Sequence, residues 1–271
     1  DYELTLTGST AGTGEFAGII DNGSSGGVTS LRKDGGGMWT LSGNNTYTGG
    51  TAVAAGKLVL NASGGALSDS GAVTISDGAE LETAQSDSVG DVAMGASTLS
   101  GAGTLTAASL AVNNSGAALI SAGLGGSGSL TKSGAGQLSI TADNSGFSGA
   151  VDLQAGTIYV DADNALGTGS LTLADGTMLD SGNTSRTLPN DIAVNGDIQL
   201  GTGTTRKLTL TGAMDIGSSD RVITYGTGGN GNFSLEMDGV ISGSGGLILD
   251  SEDGNDYIAL NNSGNTFSGG V

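Results

Sequence analysis

The sequence predicts an all-β protein built as a β-solenoid, in which short strands stack on one another turn after turn. Three observations predict this fold: short alternating apolar runs between turn residues, the absence of helical periodicity, and internal repeats. The chain has 271 residues, of which 53 are glycine, whereas average usage is roughly 7%. A glycine content this high favours an architecture with many tight corners.

Short strands are indicated along the whole chain. Runs such as 57–60, 72–75, 157–160 and 171–173 alternate apolar with polar residues and are rich in Val, Ile, Leu and Thr. Gly, Asn, Asp or Ser bounds each run, which is typical of strands that lie between turns. Almost no segment places apolar residues at helical spacing without an intervening glycine, so we expect essentially no helix.

A longer pattern repeats along the chain. Residues 39–60 contain a strand, an aromatic-Ser/Thr-Gly turn, a second strand, an Ala-Gly step and a third strand. Residues 138–160 repeat this order. A third copy begins at Tyr257 and stops at Val271. The predicted copies, the third of them truncated, lie near residues 13–82, 123–180 and 231–271. We therefore expect one β-helix domain over residues 1–271, as a fragment of a longer protein.

A finer period lies inside these copies. Equivalent glycines such as Gly56 and Gly78 recur at a spacing of ~20 residues, which is the length of one solenoid coil. This spacing predicts about 13 coils, with parallel strands about 4.8 Å apart. Several asparagines fall at comparable corners, where we expect them to stack as ladders: Asn44, Asn45, Asn144, Asn261 and Asn262.

Composition excludes several function classes. The chain has no histidine and no cysteine, so it cannot form a Ser–His–Asp triad, a cysteine nucleophile or a His/Cys zinc site. Its net charge of −19 repels nucleic acid and anionic membranes, and the basic pairs at 32–33 and 206–207 are too few to offset it. No apolar stretch is long enough for a membrane helix. We predict no nucleic-acid partner, no membrane contact by this segment and no cofactor.

Some motifs match functional patterns formally. Residues 23–27 fit G-x-S-x-G, but a nucleophile needs a histidine base, so a turn is favoured. The G-x-G-x-x-G matches at 123–128 and 226–231 open no helix and cannot present a helix N-terminus to a phosphate. Residues 250–256 contain four acids in one turn, where a weak cation site is the alternative to a solvated corner. We predict no catalytic, cofactor-binding or metal-ligating residue.

Two further sequence patterns could be related to carbohydrates, a pair of carboxylates and a recurring aromatic residue. Cleavage of a polysaccharide uses paired carboxylates, and strand alternation would place Asp161 and Asp163 on one face. Tyr47, Phe147 and Phe267 recur at the same position of the repeat. This recurrence favours a packing role over a platform for stacking sugars.

The ordered set of motifs resembles a known repeat. An aromatic-Ser/Thr-Gly-Gly turn followed by Ala-Gly-x-Leu-x-Leu is similar to the passenger-associated repeat of autotransporter passenger domains. The pattern runs here from Tyr47 to Leu60 and from Phe147 to Val160, and begins again at Phe267. The resemblance implies a right-handed parallel β-helix that is secreted by a Gram-negative bacterium or exposed on its surface. It also implies a signal peptide upstream and, downstream, a C-terminal translocator barrel in the outer membrane.

The resemblance and the composition together suggest a non-enzymatic surface protein. We expect an adhesin, a self-association factor or a stalk, whose partner is a host-cell or matrix glycan or protein, or an identical chain on a neighbouring cell. The first alternative is a polysaccharide-cleaving or tailspike-like enzyme on the same fold. The second is an inert scaffold for an activity elsewhere in the full chain.

Overall fold

The computed structural model describes residues 1–24, 26–181, 184–201, 206–226, 234–251 and 256–270. Across these ranges the chain forms strands and turns and no helix. The described residues therefore contain no helix that could cross a membrane. Two compact units are present, Asp1–Leu130 and Thr131–Val271. The prediction of an all-β protein is confirmed, while the single-domain boundary stays a prediction.

The first unit holds strands β1 to β13, each short and bounded by turns. Their bounds are β1 Tyr2–Leu6, β2 Thr13–Phe16, β3 Thr29–Lys33, β4 Met38–Leu41, β5 Thr51–Val53, β6 Lys57–Leu60, β7 Val73–Ile75, β8 Glu80–Thr83, β9 Asp87–Met94, β10 Thr98–Ser100, β11 Thr104–Val112, β12 Ala118–Ile120 and β13 Gly123–Gly125.

The remaining strands are of similar length, and β14 starts just before the second unit. Their bounds are β14 Ser129–Lys132, β15 Gln137–Ile140, β16 Val151–Leu153, β17 Thr157–Val160, β18 Leu171–Leu173, β19 Thr177–Asp180, β20 Arg186–Leu188, β21 Ile192–Val194, β22 Ile198–Leu200, β23 Lys207–Leu210, β24 Met214–Asp215, β25 Arg221–Tyr225, β26 Ser234–Met237, β27 Ile241–Ser242, β28 Leu247–Ser251 and β29 Tyr257–Leu260.

In the first unit the strands alternate between two sheets. The first sheet runs β1-β3-β5-β7-β9-β11, with β13 beside β11, and the second runs β2-β4-β6-β8-β10-β12. Neighbouring strands pair in parallel. Because parallel neighbours need a crossover connection, the strand of the opposite sheet and its two corners complete each turn of a solenoid.

The second unit adds a third sheet. Its first sheet contains β16-β18-β21-β24-β27, its second β15-β17-β19-β22-β25-β28, and its third β20-β23-β26-β29. Turns that carry the third strand are longer: Met214 pairs with Ile241, whereas Thr51 in the first unit pairs with Val73. Over the described residues the parallel β-solenoid has about 11 turns. The prediction of about 13 coils is therefore wrong in number, because the longer turns use more residues each.

The interior consists of apolar columns that run from turn to turn. In the first sheet, Val53, Ile75, Met94 and Val112 occupy successive paired positions, and all four are buried. In β7, Thr74 lies between the buried residues Val73 and Ile75 and faces outward, as the two-residue strand period requires. Burial of such columns stabilises the fold by roughly 25 cal/mol per Å² of apolar surface.

The Ala-Gly step of the repeat marks a corner that only glycine fits. Gly56 and Gly156 have φ of 66° and 75°, a conformation that L side chains rarely adopt. A Cβ on Gly56 would lie 2.5 Å from the carbonyl oxygen of Gly37, and a Cβ on Gly156 would lie 2.5 Å from that of Gly134. The glycine therefore serves both the turn and the close approach of neighbouring turns.

Four of the five corner asparagines bind main chain, and Asn261 binds the side-chain carboxylate of Asp238. Buried Asn45 and Asn144 donate from Nδ2 to the carbonyl oxygens of Ala66 and Ala165, at 2.6 and 2.7 Å. Asn44 instead accepts from a main-chain N–H, and Asn261 and Asn262 donate to Asp238. The ladder expectation is wrong for these bonds, because carbonyl groups at buried corners require donors of their own.

Candidate functional site

Polar residues follow the strands of the second sheet in the first unit, one above another. The amide of Ser42 donates to the carbonyl of Phe16 at 3.1 Å, that of Asn61 to Leu41 at 2.8 Å and that of Gln85 to Leu60 at 3.0 Å. Each bond links one turn to its neighbour, about 4.8 Å away. Ser42 and Asn61 follow the paired residues Leu41 and Leu60, whereas Gln85 lies one residue beyond the position aligned with Asn61, because Leu60 pairs with Thr83. The three residues therefore form a column along three successive turns, with an offset of one residue at Gln85.

A groove opens beside this column, which we call the amide groove. It measures about 490 Å³, within the usual range of small-ligand sites. Its lining consists of Ala17, Ile19, Ser42, Gly43, Asn44, Asn61, Ser63 and Gln85. None of these side chains is charged, and Ile19 is 65% exposed. The amide groove thus combines neutral polar groups with one apolar contact surface.

Much of the hydrogen-bonding capacity of the amide groove is unused. Asn44 accepts from the N–H of Gly64 at 3.1 Å through Oδ1, and its Nδ2 makes no hydrogen bond within the described part of the chain. The exposed side chains of Asn61, Ser63 and Gln85 likewise bond to no described residue. Each carboxamide can donate twice and accept twice. The fold therefore leaves donors and acceptors side by side at this surface.

A second groove, the acidic groove, lies on the other side of Ser63. It measures about 290 Å³ and contains the carboxylates of Asp69 and Asp87. Asp87 is buried, and its Oδ2 accepts from the amides of Ala66 and Leu67, both at 3.0 Å. Its Oδ1 accepts from the amide of Ser88 at 2.9 Å. Asp87 therefore anchors the turn that follows β6.

The two carboxylates of the acidic groove share a small space. A Cβ on Gly65 would lie 3.6 Å from Oδ1 of Asp69 and 3.6 Å from Oδ1 of Asp87. Burial raises the pKa of Asp87, the three N–H donors oppose that rise, and the charge of Asp69 adds to it. A raised pKa beside a second carboxylate is the arrangement that glycoside cleavage uses.

The acids that the sequence suggested for such chemistry lie elsewhere. Because β17 ends at Val160, Asp161 and Asp163 stand in a turn, and the expectation that strand alternation places them on one face is wrong. Asp163 accepts from the amide of Thr187 at 3.1 Å. A buried acid that the sequence analysis did not single out, Asp180, forms an ion pair with Arg206 at 3.8 Å, with side chains 0% and 8% exposed.

Several suggested motifs fall partly outside the described residues. These are the serine of the 23–27 match, two glycines of the 226–231 match and positions 252–255 of the acidic turn at 250–256. Among the residues that are described, no group of three or more acidic side chains comes together as a metal site.

The repeated aromatic residues pack inside the fold. Tyr47 and Phe147 are 1% and 5% exposed, and the hydroxyl of Tyr47 lies 2.6 Å from Oγ1 of Thr51. Burial raises the pKa of Tyr47 to about 12. Phe267 is half-buried. The packing hypothesis is confirmed for Tyr47 and Phe147, which present no platform to a ligand.

The basic pair at 32–33 is divided between surface and interior. Arg32 lies 3.4 Å from Asp34 in a half-exposed ion pair. Lys33 is fully buried, as is Lys132 at the equivalent position of the next copy. Neither lysine is therefore available to an external ligand.

Comparison with known families identifies the repeats. Residues 31–60 and 130–160 match the family model described as passenger-associated-transport-repeat. The chain carries two passenger-associated-transport-repeats. The resemblance seen in the sequence is thereby confirmed for the first two copies, while the third copy lies outside both matched stretches. Searches of curated proteins and of solved structures returned no significant match.

The first passenger repeat contains residues that hold the corners of the fold together. The two candidate grooves are lined partly by residues that follow this repeat. Lys33, Asn45 and Gly56 belong to the first repeat, whereas Asn61 and Gln85 follow it. The amide groove was not predictable from the sequence, because polar residues follow many of the strands. Only the pairing of successive turns brings these residues together.

Proposed function

We propose that this chain is a non-enzymatic part of an autotransporter passenger, exposed on the surface of a Gram-negative bacterium or secreted from it, and that it acts in adhesion. The passenger repeats support the family context. The observation that carries the adhesive role is the amide groove, where the side chains of Asn61, Ser63 and Gln85 face outward without partners in the described chain.

The different roles of main-chain and side-chain groups in this fold support adhesion. Main-chain hydrogen bonds between turns hold the solenoid together. The exposed side chains of Asn61, Ser63 and Gln85 make no hydrogen bond within the described chain, so they are available to a ligand. Individual contacts through such groups are weak, but many chains on one cell act together. Avidity of this kind exceeds the single-site affinity by large factors.

Self-association is the less favoured form of adhesion. A net charge of −19 on each chain opposes docking of identical surfaces, and salt screens that repulsion over a Debye length of about 8–10 Å. If identical chains do associate, light scattering should increase between low and physiological salt. Unchanged scattering over that range would contradict self-association as the mode of adhesion.

Polysaccharide cleavage is a second candidate, favoured by one observation. Asp69 and Asp87 share the acidic groove, and the pKa of Asp87 is raised. Against it, three main-chain N–H groups already bind the carboxylate of Asp87. Release of reducing ends from a polysaccharide panel, lost in both Asp69→Asn and Asp87→Asn, would establish the enzyme and contradict our proposal.

Adhesion can be measured with the chain itself. Beads coated with the chain should bind host-cell monolayers or immobilised matrix glycoproteins well above albumin-coated beads. Antibodies against the chain should label intact cells of the source bacterium, because we place it outside the outer membrane. Binding equal to that of albumin beads would favour the inert-scaffold alternative.

A further inference from the structure

The ligand class of the amide groove follows from its lining. We propose that this groove binds a neutral oligosaccharide, lying along the column of Ser42, Asn61 and Gln85. The inference deepens the proposed adhesive function and rests on it for its biological meaning, but its chemistry stands on the groove alone.

The first step is charge. The chain carries 27 acidic residues, yet no acidic or basic side chain lines the amide groove. In the described chain the one carboxylate bonded to a lining side chain is that of Glu15, which accepts from the hydroxyl of Ser42 at 2.5 Å. Its neutral lining supplies no counter-charge for an anion, and the field of the whole protein repels one. Without a lining carboxylate, it offers no strong site for a cation either. A neutral ligand is the one that this surface fits.

The second step is hydrogen bonding. Asn61 and Gln85 expose carboxamides without described partners, Asn44 exposes its Nδ2 and Ser63 its hydroxyl. A sugar hydroxyl both donates and accepts, as a carboxamide does, so the two chemistries match group for group. Ile19 adds an exposed aliphatic surface for the apolar face of a sugar ring.

The third step is spacing. Successive turns place Ser42, Asn61 and Gln85 along this column, with an offset of one residue at Gln85 and main-chain bonds between turns. An extended chain of sugars along that column meets a new polar side chain about every 4.8 Å. A ligand with hydroxyl groups along its whole length uses such a column better than a compact molecule does.

The fourth step separates a saccharide from a peptide. Peptides that dock on β-sheets add a strand to an open edge and bind through main-chain hydrogen bonds. At this column the N–H groups of Ser42, Asn61 and Gln85 already donate to the preceding turn. The groove lies across strand ends and offers no such edge, so side-chain recognition of hydroxyl groups is favoured.

The test uses the whole chain and saturation-transfer NMR. The probes are cellohexaose, maltohexaose and chitohexaose as neutral saccharides, heparin as an acidic one, and gelatin as an unstructured polypeptide. The expected result is saturation transfer to at least one neutral hexasaccharide. Asn61→Ala combined with Gln85→Ala should weaken that binding at least tenfold.

Asn113→Ala is the matched control. Asn113 is exposed in the same unit, follows β11 of the first sheet and lies outside the groove, so its removal should leave binding unchanged. Circular dichroism should be the same for all variants, because none of these side chains bonds to the described fold. Binding to no neutral hexasaccharide, or binding that survives in the double variant, would overturn the inference. So would gelatin or heparin binding that the double variant alone abolishes.

The proposed function and this inference fail separately. If coated beads adhere to cells and the groove variant adheres equally well, adhesion stands and the saccharide groove is wrong. If the chain binds a hexasaccharide through Asn61 and Gln85 but its beads do not adhere to cells, the groove stands and the adhesive role is wrong.

Discussion

The Nζ of Lys33 donates a hydrogen bond to the carbonyl oxygen of Ala55 on the next turn, 2.9 Å away. Lys132 makes the same bond to Ala155 at 3.1 Å in the second passenger repeat. Both lysines also bind their own corner: Lys33 donates to Gly35 at 2.8 Å, and Lys132 donates to Gly134. Each passenger repeat thus contains a buried ammonium group that ties one Gly-rich corner to the Ala-Gly corner after it.

Replacement of the buried lysine should destabilise the fold. Lys132→Met keeps much of the apolar stem but leaves the carbonyls of Gly134 and Ala155 without their donor. We expect a loss of about 1–3 kcal/mol in the free energy of unfolding, measured by urea denaturation. Lys207→Met is the control, because Lys207 forms an exposed ion pair with Glu236 at 3.0 Å and should cost no more than about 1 kcal/mol. Equal effects would contradict the corner role.

The stability of the fold should depend on pH through the same lysine. Burial lowers the pKa of Lys132 from 10.5 to about 8. Between these values the unfolded chain binds more protons than the folded one, so the free energy of unfolding rises with pH. The difference between the native chain and Lys132→Met should therefore widen from pH 8 to pH 10. A thermal-melting difference that is flat or shrinks over this range would oppose the assignment.

A buried tyrosine should act in the opposite direction at higher pH. Burial raises the pKa of Tyr47 from 10.0 to about 12, so above pH 10 the unfolded chain loses a proton that the folded chain keeps, and stability falls. Tyr47→Phe, which copies Phe147 of the second repeat, should remove this contribution. The variant should also lose about 0.5–1.5 kcal/mol at pH 7, with the bond to Thr51. A melting profile of the variant that declines as steeply above pH 10 as that of the native chain would count against it.

Two glycines separate backbone conformation from close approach. Gly156 and Gly176 have similar positive φ, 75° and 70°. A Cβ on Gly156 meets carbonyl oxygens at 2.5 Å, whereas a Cβ on Gly176 meets nothing within 4 Å. Gly176→Ala should therefore cost about 1–2 kcal/mol for the conformation alone. Gly156→Ala should cost a further 1–3 kcal/mol or so for overpacking, and equal costs in urea denaturation would refute the corner geometry.

The buried asparagine tests the satisfaction of corner carbonyls. Asn45 accepts from the amide of Ile20 at 2.8 Å and donates to the carbonyl of Ala66 at 2.6 Å. Asn45→Asp removes the donor and places a carboxylate against that carbonyl, so we expect a loss of about 2 kcal/mol or more at pH 7. Part of the loss should return at pH 4, where the acid is protonated. Asn113→Asp, at an exposed position, should change stability by less than about 0.5 kcal/mol.

Much of the fold could be predicted from local sequence patterns. The glycine-bounded runs at 57–60 and 157–160 are strands, and the Ala-Gly steps at Gly56 and Gly156 are corners with positive φ, as period and turn chemistry require. The number of turns was not predictable, because the longer turns that hold a third strand, such as the one from Met214 to Ile241, follow no fixed repeat.

Long-range contacts account for what the sequence did not reveal. The burial of Lys33 was not predictable, since a single lysine in the sequence gives no sign that the carbonyls of its own corner and of the next corner surround it. Asn61 and Gln85 are ordinary corner residues in sequence, and only the pairing of their successive turns brings them to one groove. The buried position of Asp87 was likewise not predictable, because it depends on the amides of Ala66 and Leu67, which donate to its carboxylate from the turn after β6.

Parallel pairing of successive turns creates the corners, the buried lysine contacts and the grooves of this fold, and one cysteine pair tests that pairing directly. Thr74 and Ala93 are exposed partners on β7 and β9, about 4.8 Å apart, and the native chain has no cysteine to interfere. Thr74→Cys with Ala93→Cys should form an intramolecular disulfide on mild oxidation, seen as a loss of free thiol in the folded monomer. Thr74→Cys with Ala111→Cys, whose positions lie two strands apart, should stay reduced. A disulfide in the second pair, or none in the first, would contradict the solenoid.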